Sequence, residues 1–142
     1  MQTFNASPLA GFEEVEHTAD WAYRVWGQDL ETLFIQAAIA LNSLTGVLLA
    51  REPIVEREIQ LLGVDSESLL VAWLNELLYL RESENLGFRQ FQILHLDPQT
   101  LKIRMRGASV EQWSKYVKAV TYHNLSILKT ANGYEATLVL DV

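Results

Sequence analysis

Leu30, Leu33, Phe34, Ala37, Ala38, Leu41 and Leu44 recur at spacings of three and four, so one stripe of the segment is apolar and the rest polar. The spacing predicts a helix, with Asp29 placed to accept the free amides of its first turn and Gly46 placed to end it. A second helix is predicted after Asp65-Ser66, carrying Leu69, Leu70, Trp73, Leu74, Leu77 and Leu78. Val71 and Ala72 widen its apolar surface until it covers most sides, which marks this helix as the buried one. Asn75 and Glu76 interrupt that surface; polar groups on a buried helix need partners, so these two either bond neighbouring backbone or approach a site.

Elsewhere the period drops to two. In Leu101-Lys102-Ile103-Arg104-Met105-Arg106 apolar and basic residues alternate strictly, as in a strand with one face buried and one wet. A partner strand begins near Phe88 and runs through Phe91 and Ile93, and Asp97-Pro98-Gln99-Thr100 supplies the turn between the two. A second hairpin is expected to join 117–127 to 134–142 through Asn132-Gly133, a pair that tolerates the positive φ of a tight turn. Shorter strands are expected at Phe12–Glu16, Ala22–Trp26 and Val55–Leu62. Strands interrupted by two helices and followed by hairpins read as α+β: two layers, a mainly antiparallel mixed sheet with both principal helices packed on one face. Residues 1–11 are expected as a flexible extension and 12–142 as one domain.

The length of 142 residues fits one domain, and 49% hydrophobic with 20% charged residues is ordinary for a folded chain. The chain has no cysteine, which excludes disulfide frameworks and Cys-based zinc sites or nucleophiles and suits a reducing compartment. The first residues lack a signal peptide's basic and apolar regions, and Leu69–Leu74, the longest apolar run, is far short of the roughly twenty residues that cross a bilayer. A cytoplasmic protein without membrane contact is expected. The net charge of −7 opposes non-specific wrapping of nucleic acid, but it is unevenly spread: residues 1–84 hold 14 acids and 4 bases, residues 85–142 only 4 acids against 7 bases. Lys102, Arg104, Arg106, Lys115 and Lys118 form a basic cluster that either meets phosphate or is a solvated sheet face.

Candidate chemistry sits in three places. His17-Thr18-Ala19-Asp20 follows the first of the expected strands, where it either binds a metal or shares a proton, or the Asp satisfies loop amides while the His packs over a strand end. Asp141, followed by the carboxylate of Val142, lies on the strand face opposite Tyr134, Ala136, Leu138 and Leu140. If the first and last strands are neighbours, Asp20, Asp141 and Val142 bring together hard oxygen donors that suit Ca²⁺, Mg²⁺ or Mn²⁺ better than Zn²⁺. In Lys118–His123, alternation puts Lys118, Val120 and Tyr122 on one side and Ala119, Thr121 and His123 on the other. Lys118 there either counters a carboxylate or phosphate, or snorkels to water from a strand edge. His95, among apolar neighbours, is expected to be a packing residue. No G-x-G-x-x-G, P-loop, G-x-S-x-G or H-E-x-x-H occurs.

Four segments together resemble the archease family: Glu14-Val15-Glu16-His17-Thr18-Ala19-Asp20, the run Leu69 to Leu80, Val117-Lys118-Ala119-Val120-Thr121-Tyr122-His123, and the ending Leu138-Val139-Leu140-Asp141-Val142. They stand in the family's order and cover the chain from Phe12 onward. The resemblance implies a small α+β protein that is not itself a catalyst but activates the RtcB-type RNA ligase of tRNA splicing and RNA repair, promoting guanylylation of the ligase histidine and its turnover. GTP then belongs to the ligase, and tRNA is met only through it; DNA is not a partner. The resemblance also implies a divalent ion, Ca²⁺ foremost, at Asp20, Asp141 and Val142. It makes Lys118, with His17 and His123, the residues expected to contact the ligase or its triphosphate. Trp21 departs from the small aliphatic residue usual after His-Thr-Ala-Asp, and Gly107–Tyr116 is shorter than usual and lacks an expected His. Two readings compete: a metal-dependent phosphohydrolase using the same carboxylates, and an RNA-binding module using the basic cluster.

Overall fold

Asp29 and Asp65 each leave the chain extended and accept an amide three residues on, Thr32 N at 2.7 Å and Ser68 N at 2.8 Å, which starts the two helices where the sequence places them. Ser68 returns a bond to the Asp65 amide, completing a reciprocal cap. The computed structural model describes residues 4–15 and 21–142, with only the backbone for 4–6. Its elements are β1 (Phe4–Ala6), β2 (Ala10–Val15), β3 (Trp21–Gly27), α1 (Leu30–Thr45), β4 (Leu48–Leu49), β5 (Val55–Leu62), α2 (Ser66–Glu84), β6 (Leu86–Asp97), β7 (Thr100–Gln112), β8 (Ala119–Thr121), β9 (Leu128–Thr130) and β10 (Gly133–Asp141).

The fold is α+β, with the strands divided between two antiparallel sheets where the periodicity suggested one. The first has the order β1-β2-β3-β10-β8, with β9 also on β10. In the second, β7 pairs with β5, β6 and, near its end, β4. Alternation reports which face of a strand is buried but carries no record of its neighbour, so the division is invisible in the pattern. Residues 4–11, expected as a loose extension, carry β1 and the start of β2, paired from Phe4↔Glu13 to Ala6↔Gly11. The expected arm 117–127 is broken as well: β8 pairs with the end of β10 and β9 with its start, while Tyr122–Ile127 leaves the sheet through a turn in which Asn124 has φ 50°.

Both sheets close on the helices. Helix α1 packs on β2, β3 and β10 of the first sheet, α2 packs on β5, β6 and β7 of the second and also on β8, and the helices touch each other. Apolar side chains from all of them form one core, including Tyr23, Phe34, Trp73, Leu101 and Met105. Its buried polar tips are satisfied by helix backbone: Tyr23 OH donates to Ala37 O at 3.0 Å and Trp73 Nε1 to Phe34 O at 3.0 Å. Burial pushes the Tyr23 phenol well above its ordinary range, so it stays a donor.

Arg81 of α2 is 4% exposed and reaches the C-terminal end of α1. Its Nη1 donates to Thr45 Oγ1 and its Nη2 to Asn42 Oδ1, both at 3.2 Å, while Trp113 covers the guanidinium 5.2 Å from the ring centroid. These partners are neutral. The negative end of the α1 dipole lies at this place and has no basic residue of its own in the last turn, so Arg81 supplies the charge that α1 lacks. Burial pushes its pKa down to about 10, which leaves it charged at neutral pH.

The outer face of the second sheet is polar and charge-matched. Glu56 stands opposite Arg106, and Glu58 opposite Arg104. Lys102 Nζ lies 3.6 Å from Glu58, and Arg106 Nε lies 3.6 Å from Glu56. Strand β6 has bulges between Phe88 and Gln90 and between Ile93 and His95. The second turns His95 outward, contrary to the packing role expected for it: the ring is exposed, with Nε2 2.7 Å from Asp97 Oδ2. Beside the first bulge β7 carries Gly107, where an added Cβ would lie 1.8 Å from the Gly87 carbonyl oxygen.

Two stability outcomes follow from these contacts. Arg81→Ala, which removes the donors to Thr45 Oγ1 and Asn42 Oδ1 and uncovers Trp113, is expected to lower the unfolding free energy by about 2–4 kcal/mol in urea denaturation. Gly107→Ala is expected to cost about 1–3 kcal/mol in the same measurement, because backbone rather than a flexible side chain must give way.

Candidate functional site

Strand β10 pairs with β3 on one side and with β8 and β9 on the other, and its last residues carry the predicted site. Val139, Leu140 and Asp141 pair with Thr121, Val120 and Ala119 of β8 on one side, and Leu140 pairs with Trp21 of β3 on the other. Asp141 and Val142 are both exposed at this end of the sheet. The backbone N–H of Lys118 donates to the Asp141 carbonyl at 2.8 Å, so the chain position bearing the ammonium is fixed beside the one bearing the carboxylate. Asp141, Val142 and Lys118 are thus brought together. The alternation expected for 118–123 holds only over β8, with Val120 buried while Lys118 precedes the strand and Tyr122 follows it.

Asp20 and His17 lie outside the described residues. The residues flanking that segment are in register with the site, Val15 opposite Ala22 and Trp21 opposite Leu140. His123 is exposed just beyond β8; its backbone N–H donates to Thr121 Oγ1 at 3.2 Å, and its Nε2 lies 3.4 Å from Asn124 Nδ2.

Three contacts hold this end of the sheet. Helix α2 presents Asn75, whose Oδ1 accepts the Val120 N–H at 2.8 Å and whose Nδ2 donates to the Val120 carbonyl at 3.0 Å. The open question about Asn75 is thereby answered in favour of a backbone partner. Helix α1 presents its last carbonyl, Thr45 O, which accepts the N–H groups of Ser114 at 2.9 Å and Lys115 at 3.2 Å. Lys115 then lies with its Nζ 3.8 Å from the centroid of the Trp21 ring, and Trp21 Nε1 donates to Glu14 Oε1 at 2.9 Å. The signal for Asn75 was a polar residue on an apolar helix. A backbone carbonyl such as Thr45 O leaves no signal in sequence.

The arrangement offers the exposed carboxylate of Asp141, a hard oxygen donor, at a position bonded through its backbone to Lys118. Hard donors of this kind fit an oxygen-seeking divalent cation rather than Zn²⁺. No cluster of three or more His, Asp or Glu able to hold a metal occurs among the described residues. The basic cluster is divided: Lys102, Arg104 and Arg106 face Glu56 and Glu58 on the second sheet, while Lys115 and Lys118 stand at the β10 end of the first. A cleft of about 420 Å³ lined by Arg24, Trp26, Asn132 and Tyr134 lies at the start of β10, a strand's length away from Asp141.

Comparison with known proteins places these features in a family. Residues 12–142 match the model of the Archease protein family (MTH1598/TM1083). The chain is 36% identical to protein archease of Methanosarcina mazei over 142 residues, covering 92% of this chain and 95% of that one. It is 40% identical to protein archease of Saccharolobus islandicus over 139 residues, covering 94% and 100%. Among solved structures it resembles an archease of Thermotoga maritima described as a possible chaperone, with a TM-score of 0.68 at 25% identity over 90% of this chain and 94% of that one. It also resembles Methanobacterium thermoautotrophicum protein 1598, with a TM-score of 0.66 at 30% identity over 92% and 98%. The chain belongs to the archease family.

Proposed function

We propose that this protein is a non-catalytic activator of an RtcB-type RNA ligase, promoting guanylylation of the ligase histidine and its multiple turnover in tRNA splicing and RNA repair. The observation that carries the reading is the exposed Asp141–Val142 chain end held beside Lys118, in a chain that belongs to the archease family. Asp20, Asp141 and the carboxylate of Val142 are the residues that would hold a divalent cation, Ca²⁺ foremost and Mg²⁺ or Mn²⁺ as alternatives. Such an ion supplies concentrated positive charge where phosphoryl groups carry negative charge.

Lys118 is the residue assigned to the ligase or its triphosphate, as a flexible point charge that meets phosphate oxygens without a fixed approach angle. His17 and His123 are assigned to the same contact. The carboxylates repel one another until a cation or proton intervenes, so the tip is poised to accept positive charge. GTP and tRNA remain ligands of the ligase, and the protein works with it in the cytoplasm. Charge matching between Glu56 and Glu58 and the basic residues of β7 removes the continuous positive surface that a separate RNA-binding role would use.

The test is multiple-turnover ligation by the cognate ligase with and without this protein. The parent protein is expected to raise turnover, and Asp20→Ala and Asp141→Ala to reduce that stimulation by about 10–100-fold. No stimulation by the parent overturns the activator reading, and full stimulation by both variants separates the carboxylates from it. Hydrolysis of phosphate esters by the pure protein with metal and no ligase would favour the phosphohydrolase instead.

A further inference from the structure

Strand β8 has three residues and lies at the edge of its sheet. One side pairs with β10. On the other side the N–H and C=O of Val120 face α2, where a neighbouring strand would ordinarily meet them and where, left unpaired, they would carry a desolvation cost. Asn75 takes the place of that strand. Its side-chain amide is a copy of the peptide group, and it bonds both Val120 groups at once, at 2.8 and 3.0 Å. A second residue of α2, Glu67, accepts the Ile127 N–H at 3.0 Å and so secures the far end of the segment that leaves β8.

The consequence concerns residues that Asn75 does not touch. Lys118 and Asp141 are exposed, so no packing of their own side chains determines where they stand. Their relative position depends on the backbone, through the bond from Lys118 N to Asp141 O at 2.8 Å and the register Asp141↔Ala119. Lys118 is two residues before Val120, the point that Asn75 grips, and Asp141 stands opposite Ala119, its immediate neighbour. We propose that Asn75 is the positioning residue of the chain-end site: by holding β8 against β10 from outside, it keeps Lys118 beside Asp141. The geometric part stands on these bonds alone, and its importance for activation rests on the function proposed above. Val120 is itself buried, which keeps the strand attached to the core when Asn75 is changed. Loss of the clamp should therefore loosen the site without unfolding the protein.

The experiment compares Asn75→Ala and Asn75→Asp with the parent and with Leu101→Ala, a change in the distant β7 core that lowers global stability only. Amide hydrogen exchange, which needs neither metal nor ligase, reads the geometry. Asn75→Ala is expected to speed exchange at Val120 and at Lys118 by about tenfold beyond any change at Ile103, and Leu101→Ala to speed all three together. Asn75→Asp keeps the acceptor for the Val120 N–H, so it is expected to restore protection at Val120 in part. If Lys118 exchange in Asn75→Ala rises no more than that of Ile103, the positioning role is overturned. Calcium titration and stimulated ligation read the consequence: Asn75→Ala should weaken both by about tenfold while Leu101→Ala leaves both within about twofold of the parent. Equal effects of the two substitutions would reduce Asn75 to a stability residue. A parent that neither binds calcium nor stimulates the ligase would overturn the proposed function, and the exchange result would still decide the positioning.

Discussion

Two sheets without a shared strand are built on one pair of helices, and that sharing constrains almost everything else in the molecule. The extensive contacts between the two halves of the described structure run through α1 and α2. A helix that serves a sheet, a second helix and part of another sheet needs a wide apolar surface, and Leu69, Leu70, Val71, Trp73, Leu74, Leu77, Leu78 and Leu80 of α2 are all buried, leaving a narrow outer side around Glu76, Tyr79 and Ser83. Several polar groups in this layer are tied to partners on neighbouring elements. Asn42 shows the economy: its Oδ1 accepts from Arg81 while its Nδ2 donates to the Phe88 carbonyl at 2.7 Å, so one amide links α1, α2 and β6.

The same layer reaches outward to the candidate site. The end of α1 gives Thr45 O to the loop that carries Lys115, and the middle of α2 gives Asn75 to the strand that follows Lys118. Exposed groups at the tip are therefore located by bonds that begin at the helices. This is how the fold presents charged groups in a defined order on its surface.

The parts legible in sequence were those encoded by neighbours. Both helices could be read because Asp29, Asp65 and Gly46 sit within a turn of the apolar stripe they bound, and strand β5 because Val55, Ile59 and Leu61 fall on one face with Glu56, Glu58 and Gln60 on the other. The hairpin of β6 and β7 was legible through Asp97, whose Oδ1 accepts the N–H groups of Gln99 and Thr100. What failed depended on distant partners. The 117–127 arm had enough apolar residues to pass for a strand, yet Tyr122–Ile127 is held by Glu67, sixty residues earlier, rather than by β10. The basic run of β7 left two readings open, a phosphate-meeting cluster or a solvated sheet face, and the acids that β5 places opposite two of its members are the local reason for the second. Within the site, Asp141, Val142 and Lys118 could be chosen from their positions near the end of the chain's strand pattern, while the Lys115–Trp21 stack required a loop path set by Thr45.

The two bulges of β6 have a consequence for how copies of this protein behave in concentrated solution. At twelve residues β6 is the kind of edge that invites another molecule to extend the sheet, and among the described residues it pairs only with β7. A docking strand needs evenly spaced donors and acceptors along its whole length. The interruptions at Phe88/Gln90 and Ile93/His95 divide that row into short pieces whose twist differs, and they set Arg89 and His95 at the breaks. The irregularities that re-aim these side chains thereby also guard the molecule against edge-to-edge aggregation.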